Sequence, residues 1–224
     1  MKEIIKLEKV KKIYSAGLHA INDVSFSINE KEHVLIYGEA GSGKSTLISL
    51  ISGMEPLSAG KIFVLDRVVH EMNSNVSSDF RNSNFGIIQS KPSFMNNINL
   101  AENVAMPLAI RGIAYPKRIH EAKLQLKTLG LLNVAQTYPE QISTYEAQLV
   151  SIARALIIQP KILLLDDITV GLSEKEGSQI LGIINDIGKL REFAIIDFAE
   201  AKNNIFSADR YFTLKHGRIQ EEIS

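Results

Sequence analysis

Residues 3–10 alternate apolar and charged side chains, and Val24-Ser25-Phe26-Ser27-Ile28 alternates again, which is the period of half-buried strands. The next apolar run, Val34-Leu35-Ile36-Tyr37, lacks that alternation and predicts a strand covered on both faces. It gives way to a glycine-rich turn, and Leu47-Ile48-Ser49-Leu50-Ile51 behind the turn predicts a helix. Beyond a further turn at 55–60, residues 61–65 read as a short strand and 71–84 as polar loop or short helix. Phe85-Gly86-Ile87-Ile88-Gln89 is a short buried strand with a polar end.

The spacing then changes to three-four, predicting helices over 100–110, 117–129 and 143–158. Strands return with Lys161-Ile162-Leu163-Leu164-Leu165-Asp166-Asp167, a fully apolar run that ends in two carboxylates. Such a strand suits the centre of a parallel sheet, where ligands gather at the carboxyl ends. A helix over 178–190, a buried strand over 193–198 and a hairpin turned at Lys215-His216-Gly217 complete the pattern. Helices in the middle with strands on both sides predict a helical lobe inserted in an α/β core.

The glycine-rich turn is Gly38-Glu39-Ala40-Gly41-Ser42-Gly43-Lys44-Ser45-Thr46. Strand, glycine-rich turn and helix in this order form a phosphate-binding loop, because glycines let successive N–H groups point inward at phosphate oxygens. The start of the following helix adds unpaired N–H groups and its positive dipole end. Lys44 supplies a cation for the β- and γ-phosphates, and the Ser45 hydroxyl is placed to ligate Mg²⁺. Tyr14, between the first two strands, is a candidate stacking platform for an adenine ring.

Composition narrows the function. Lys+Arg and Asp+Glu both number 25, so the net charge is zero and no basic tract points to nucleic acid. Cysteine is absent, which excludes disulfides and thiol metal sites. No apolar run reaches the roughly 18 residues of a membrane span, and the first residues lack a signal-peptide core. The cytoplasm is the expected compartment.

With the loop, Gln89, the helical segment and the acidic strand end in this order, the chain resembles the nucleotide-binding subunit of ATP-binding-cassette (ABC) transporters along essentially its whole length. The stretch from Asn97 to Leu108, followed by Ile110-Arg111-Gly112, is similar to the branch serving lipoprotein release, macrolide export and cell division. The resemblance implies one domain over 1–224: a P-loop NTPase (RecA-like) α/β core from 1–90 and 159–224, with a mainly parallel sheet and an N-terminal antiparallel β-subdomain, and an inserted α-helical subdomain over 91–158. It implies that Tyr14 stacks on adenine and that residues 38–46 hold the phosphates of ATP. Ser45, Gln89 and Asp166 would position Mg²⁺ and its waters. It also implies a second nucleotide-binding subunit, as homo- or heterodimer, and an integral membrane permease that docks the chain on the inner face of the cell membrane.

The departures from the family fall where hydrolysis takes place. At the signature, usually Leu-Ser-Gly-Gly-Gln or Glu, the chain has Ile142-Ser143-Thr144-Tyr145-Glu146, which leaves Ser143 as the expected γ-phosphate contact and loses both glycines. The general base, usually Glu, is Asp167, one methylene shorter. The switch histidine is missing, with Phe198 or Glu200 in its place, and Ile168 and Ser173 replace the usual Pro and Asp. The remaining histidines, including His19 and His216, are expected to be surface or loop residues. The expectation is full Mg-ATP binding with slow or partner-dependent hydrolysis; the alternative is an inactive, ATP-binding regulatory or scaffold subunit.

Overall fold

The alternation of the first thirty or so residues becomes two long antiparallel strands, Glu3–Ile13 (β1) and His19–Asn29 (β2), in the computed structural model, which describes residues 2–15, 17–190, 193–202 and 208–222. His33–Tyr37 (β3) leads into the helix Lys44–Ile51 (α1). Ala59–Val64 (β4) and Arg67–Val68 (β5) then complete a four-stranded antiparallel sheet in the order β2-β1-β4-β5.

The second sheet has six strands. Ser74–Asn84 (α2) precedes Phe85–Gln89 (β6), and the helices Leu100–Ile110 (α3), Tyr115–Thr128 (α4) and Thr144–Leu156 (α5) separate β6 from Ile162–Asp166 (β7). Glu174–Leu190 (α6) connects β7 to Ala194–Ala199 (β8), and Arg210–Lys215 (β9) and Arg218–Glu221 (β10) form the terminal hairpin. The order is β10-β9-β3-β8-β7-β6, parallel throughout except for the edge strand β10. Crossovers between parallel neighbours need intervening segments of a dozen or more residues, which the helices provide.

Two apolar clusters explain why the central strands carry no polar alternation. Ile162 and Leu164 of β7 face a core shared with α1 and the antiparallel sheet, so α1 lies between the two sheets. Leu163 and Leu165 face the other way, into a core built with α3, α4, α5 and α6. Full burial of each aliphatic side chain contributes about 1.5–3 kcal/mol. The three middle helices therefore share a core with one face of the sheet, which ties their position to the strand ends.

The segment expected as polar loop or short helix forms a helix, and a second helix starts earlier than expected. The polar segment after residue 71 contains α2, whose first turn is capped by the Asn73 side chain accepting from Val76 N–H at 3.0 Å. Helix α6 starts at Glu174, four residues before its expected start, directly after Ser173 and with Glu176 in its first turn. The Glu176 carboxylate accepts from Ser173 N–H at 2.9 Å, and Ser173 Oγ accepts weakly from Glu176 N–H at 3.4 Å. Among the described residues no helix is long and apolar enough to cross a membrane.

Candidate nucleotide site

The phosphate loop is held in shape by backbone on three sides. Gly38 N–H donates to Ala199 O at 3.0 Å, and a Cβ on Gly38 would lie 2.1 Å from Leu214 O. Gly43, the residue ahead of α1, has φ 114°, and a Cβ there would meet Ala20 O at 2.6 Å. Only glycine fits that combination of left-handed backbone and close approach. No side chain caps α1 and no acidic residue occupies its first turn, so its N-terminal N–H groups remain available to an anion. Gly43→Ala is expected to lower stability by about 1–3 kcal/mol through strain alone. A reduced melting temperature and weaker nucleotide affinity in the same sample are the outcomes to check.

Lys44 is buried, at 6% exposure, and its Nζ donates to Gly38 O at 2.7 Å. It also lies 3.4 Å from Asp167 Oδ2, an ion pair between the loop and the end of β7. Ser45 Oγ donates to the Asp166 carboxylate at 3.3 Å. On the adjacent strand Gln89 is in register with Asp166, and its carbonyl accepts from Gln148 Nε2 of α5 at 3.2 Å. The Ser45 hydroxyl and the Asp166 carboxylate thus meet, with Gln89 next to Asp166 on the adjacent strand. These hard oxygen donors, too few to enclose an ion alone, suit a Mg²⁺ that retains phosphate and water ligands. Burial raises the Asp166 pKa, and the neighbouring Asp167 adds to the rise. Burial also raises that of Asp167, against the opposing charge of Lys44.

A cavity of about 520 Å³ opens beside the loop, lined by Gly41, Gly43, Lys44, Ser45, Thr46 and Asp167, with Tyr14 at its rim. The Tyr14 hydroxyl donates to Glu55 Oε2 at 2.7 Å and lies 3.4 Å from Thr46 Oγ1, and Lys12 Nζ sits 4.9 Å from its ring centroid. Tyr14 is therefore tied to the start of α1. Residues 21–170 match the family described as ABC transporter. The chain belongs to the ABC transporter family.

This cassette is 32% identical over 219 residues to the macrolide export ATP-binding/permease protein MacB of Aggregatibacter actinomycetemcomitans, covering 96% of this chain and 34% of that protein. It is 36% identical over 176 residues to the ABC transporter ATP-binding protein YtrE of Bacillus subtilis, covering 79% and 76%. With the lipoprotein-releasing system ATP-binding protein LolD of Shewanella denitrificans it shares 28% identity over 97% of this chain and 95% of that one. The chain thus spans about a third of the length of the macrolide export proteins it matches. Among solved structures it superposes, with TM-score 0.90, 27% identity and 98% of each chain covered, on the dimeric post-hydrolysis state of the ATP-binding cassette MJ0796 bound to ADP and Pi. For cbiO1 from Clostridium perfringens the TM-score is 0.85 at 25% identity, covering 98% and 88%. The α/β fold expected from the sequence is the fold of these cassettes.

The remaining signature-related positions divide by location. Ser143 does not line the cassette's cavity; it is exposed at the N-cap of α5, and the Glu146 carboxylate accepts from both its N–H and its hydroxyl at 2.9 Å. Tyr145 is half-buried and packs against the apolar cluster of the helical segment, so that core absorbs its ring. Of the two candidates for the switch position, Phe198 is fully buried in the core between the sheets, whereas Glu200 lines the cavity. His19 and His216, expected as surface or loop residues, line the same cavity. No sequence spacing signals their proximity, because the β2 start and the β9–β10 turn reach the loop only through tertiary packing.

Proposed function

We propose that the cassette binds Mg-ATP in the cavity beside the phosphate loop, hydrolyses it slowly, and couples ATP-driven closure with a second nucleotide-binding subunit to a separate membrane permease. The observation that carries this reading is the convergence of the uncapped α1 N-terminus, Lys44, Ser45 and Asp167 on one cavity, with Asp166 bonded to Ser45 behind it. The loop N–H groups and Lys44 would hold the phosphates, Tyr14 the base, and Ser45, Asp166 and Gln89 the Mg²⁺ with its waters. Asp167, once released from Lys44, would accept the proton of the attacking water. Ser143 would reach a γ-phosphate only across a dimer, because it lies outside its own chain's cavity.

Residues 91–158 are the part proposed to move as a helical lobe, with Gln89 linked to α5 through Gln148 as the connection between lobe and metal site. The names of the relatives, which include an ATP-binding/permease protein and two ATP-binding components, support a permease partner of the macrolide-export or lipoprotein-release kind and a location on the inner face of the membrane. The dimeric MJ0796 cassette supports pairing of two such subunits. Equilibrium titration tests the binding step. Mg-ATP is expected to bind the purified chain, and Lys44→Ala is expected to weaken it by roughly 30-fold or more through loss of charge-assisted bonds to phosphate. Equal affinity in the two proteins would remove the phosphate loop from the site.

A further inference from the structure

We infer that His19 and His216 form a second set of phosphate donors to the nucleotide, carried by two segments outside the phosphate loop. The inference rests on the ATP-binding reading of the cavity. Three stretches of backbone meet at one junction. The Gly217 N–H donates to Ser42 O at 3.0 Å, and the Gly217 carbonyl accepts from Asn22 N–H at 2.8 Å. Cβ atoms on Gly43 and Gly217 would approach Ala20 O to 2.6 and 2.5 Å. The loop, the start of β2 and the β9–β10 turn are thus locked together by contacts that tolerate no side chain. His19 and His216 are the residues immediately before Ala20 and Gly217, and both line the cavity.

Electrostatic need points the same way. Among the described residues, Lys44 is the only lysine or arginine lining the cavity, against the carboxylates of Asp167 and Glu200. Lys44 is itself engaged by Asp167 at 3.4 Å. A polyphosphate entering there gains from any further donor, and an imidazole supplies an N–H in either protonation state. Because the imidazoles project from a backbone junction fixed to the loop, little ordering is required to present them. Glycines at the junction and histidines beside it together line one side of the cavity. Both side chains are exposed, so neither is needed for the core.

The test is calorimetric titration of the full chain with Mg-ATP, comparing wild type, His19→Ala, His216→Ala, the double alanine variant, His216→Gln and Lys44→Ala. Each single alanine is expected to weaken binding about threefold and the double variant roughly tenfold, in line with one modest charge-assisted bond each. His216→Gln, which keeps an N–H donor, is expected to recover most of the affinity lost in His216→Ala. The melting temperatures of the nucleotide-free alanine variants are expected to match wild type, which a merely structural role would not produce. Wild-type affinity in the double variant would overturn the inference, and weakening by Lys44→Ala in the same series would show that the ATP reading survives it. Failure of wild type to bind Mg-ATP would overturn both.

Discussion

Asp197→Asn is expected to stabilise the protein at alkaline pH, by a margin that shrinks as the pH falls. Asp197 lies in β8 between Leu35 of β3 and Leu165 of β7, is 2% exposed, and its Oδ2 has no hydrogen-bond partner. Burial, with the charge of Asp167 as a smaller cause, pushes its pKa from 3.8 up to about 7. A folded-state pKa above the unfolded value means that the native protein holds the extra proton. The stability tied to that proton is fully present below pH 3.8, falls as the pH rises, and is lost above about pH 7. The neutral amide removes this loss, so the stabilisation at pH 8.5 is on the order of 3 kcal/mol. For a chain of this size that is about 5–10 °C in melting temperature. Melting curves at pH 5 and pH 8.5 check it; an equal shift at both values would place the effect in packing rather than charge.

Asp167→Asn is expected to reduce phosphate release by at least a hundredfold while leaving Mg-ATP affinity equal or higher. The amide cannot accept the proton of water, and general-base assistance contributes about 10²–10⁴-fold. The same change removes the ion pair with Lys44, freeing the ammonium for phosphate. Asp167→Glu is expected to raise the rate several-fold by restoring reach, at some cost in stability. Asp167 has φ 49°, a left-handed backbone that Asp tolerates better than longer residues. Turnover unchanged in Asp167→Asn would assign the base to another residue.

Much of the architecture was legible because the local patterns agree with the global fold. The continuous apolar runs at 34–37 and 162–165 became central parallel strands, since both of their faces are covered. The three-four spacing over 100–110 became α3 with the same ends, fixed by the reciprocal bonds of Asn99 and Glu102. The start of α6 was missed although the cue was present: Ser173 and Glu176 have the capping spacing, but the apolar periodicity begins only after them. Helix α2 could be read only as loop or short helix because of its polar composition, with only Ser77 and Phe80 buried along it.

In the candidate site, the proximity of the loop, Ser45, Asp166 and Asp167 was legible, because the loop and the end of a central parallel strand meet at the same edge of the sheet. Positions that depend on tertiary packing were not. A lone aspartate in an apolar strand does not reveal that its carboxylate is buried without a partner, and alignment alone leaves Phe198 and Glu200 equivalent. Tyr145 looks obstructive as a replacement for glycine, yet the cluster around α3 to α6 receives its ring. The histidines at the rim belong to segments nearly two hundred residues apart, brought together by backbone contacts at Ala20, Gly43 and Gly217.

The most direct measurement is phosphate release from saturating Mg-ATP by the purified cassette, repeated with the proposed permease partner and with Lys44→Ala as the blank. An intact phosphate loop beside a shortened base and an altered signature predicts slow release above the blank, which the permease accelerates. Release indistinguishable from Lys44→Ala in both settings would contradict it, and the chain would then be an ATP-binding regulatory subunit.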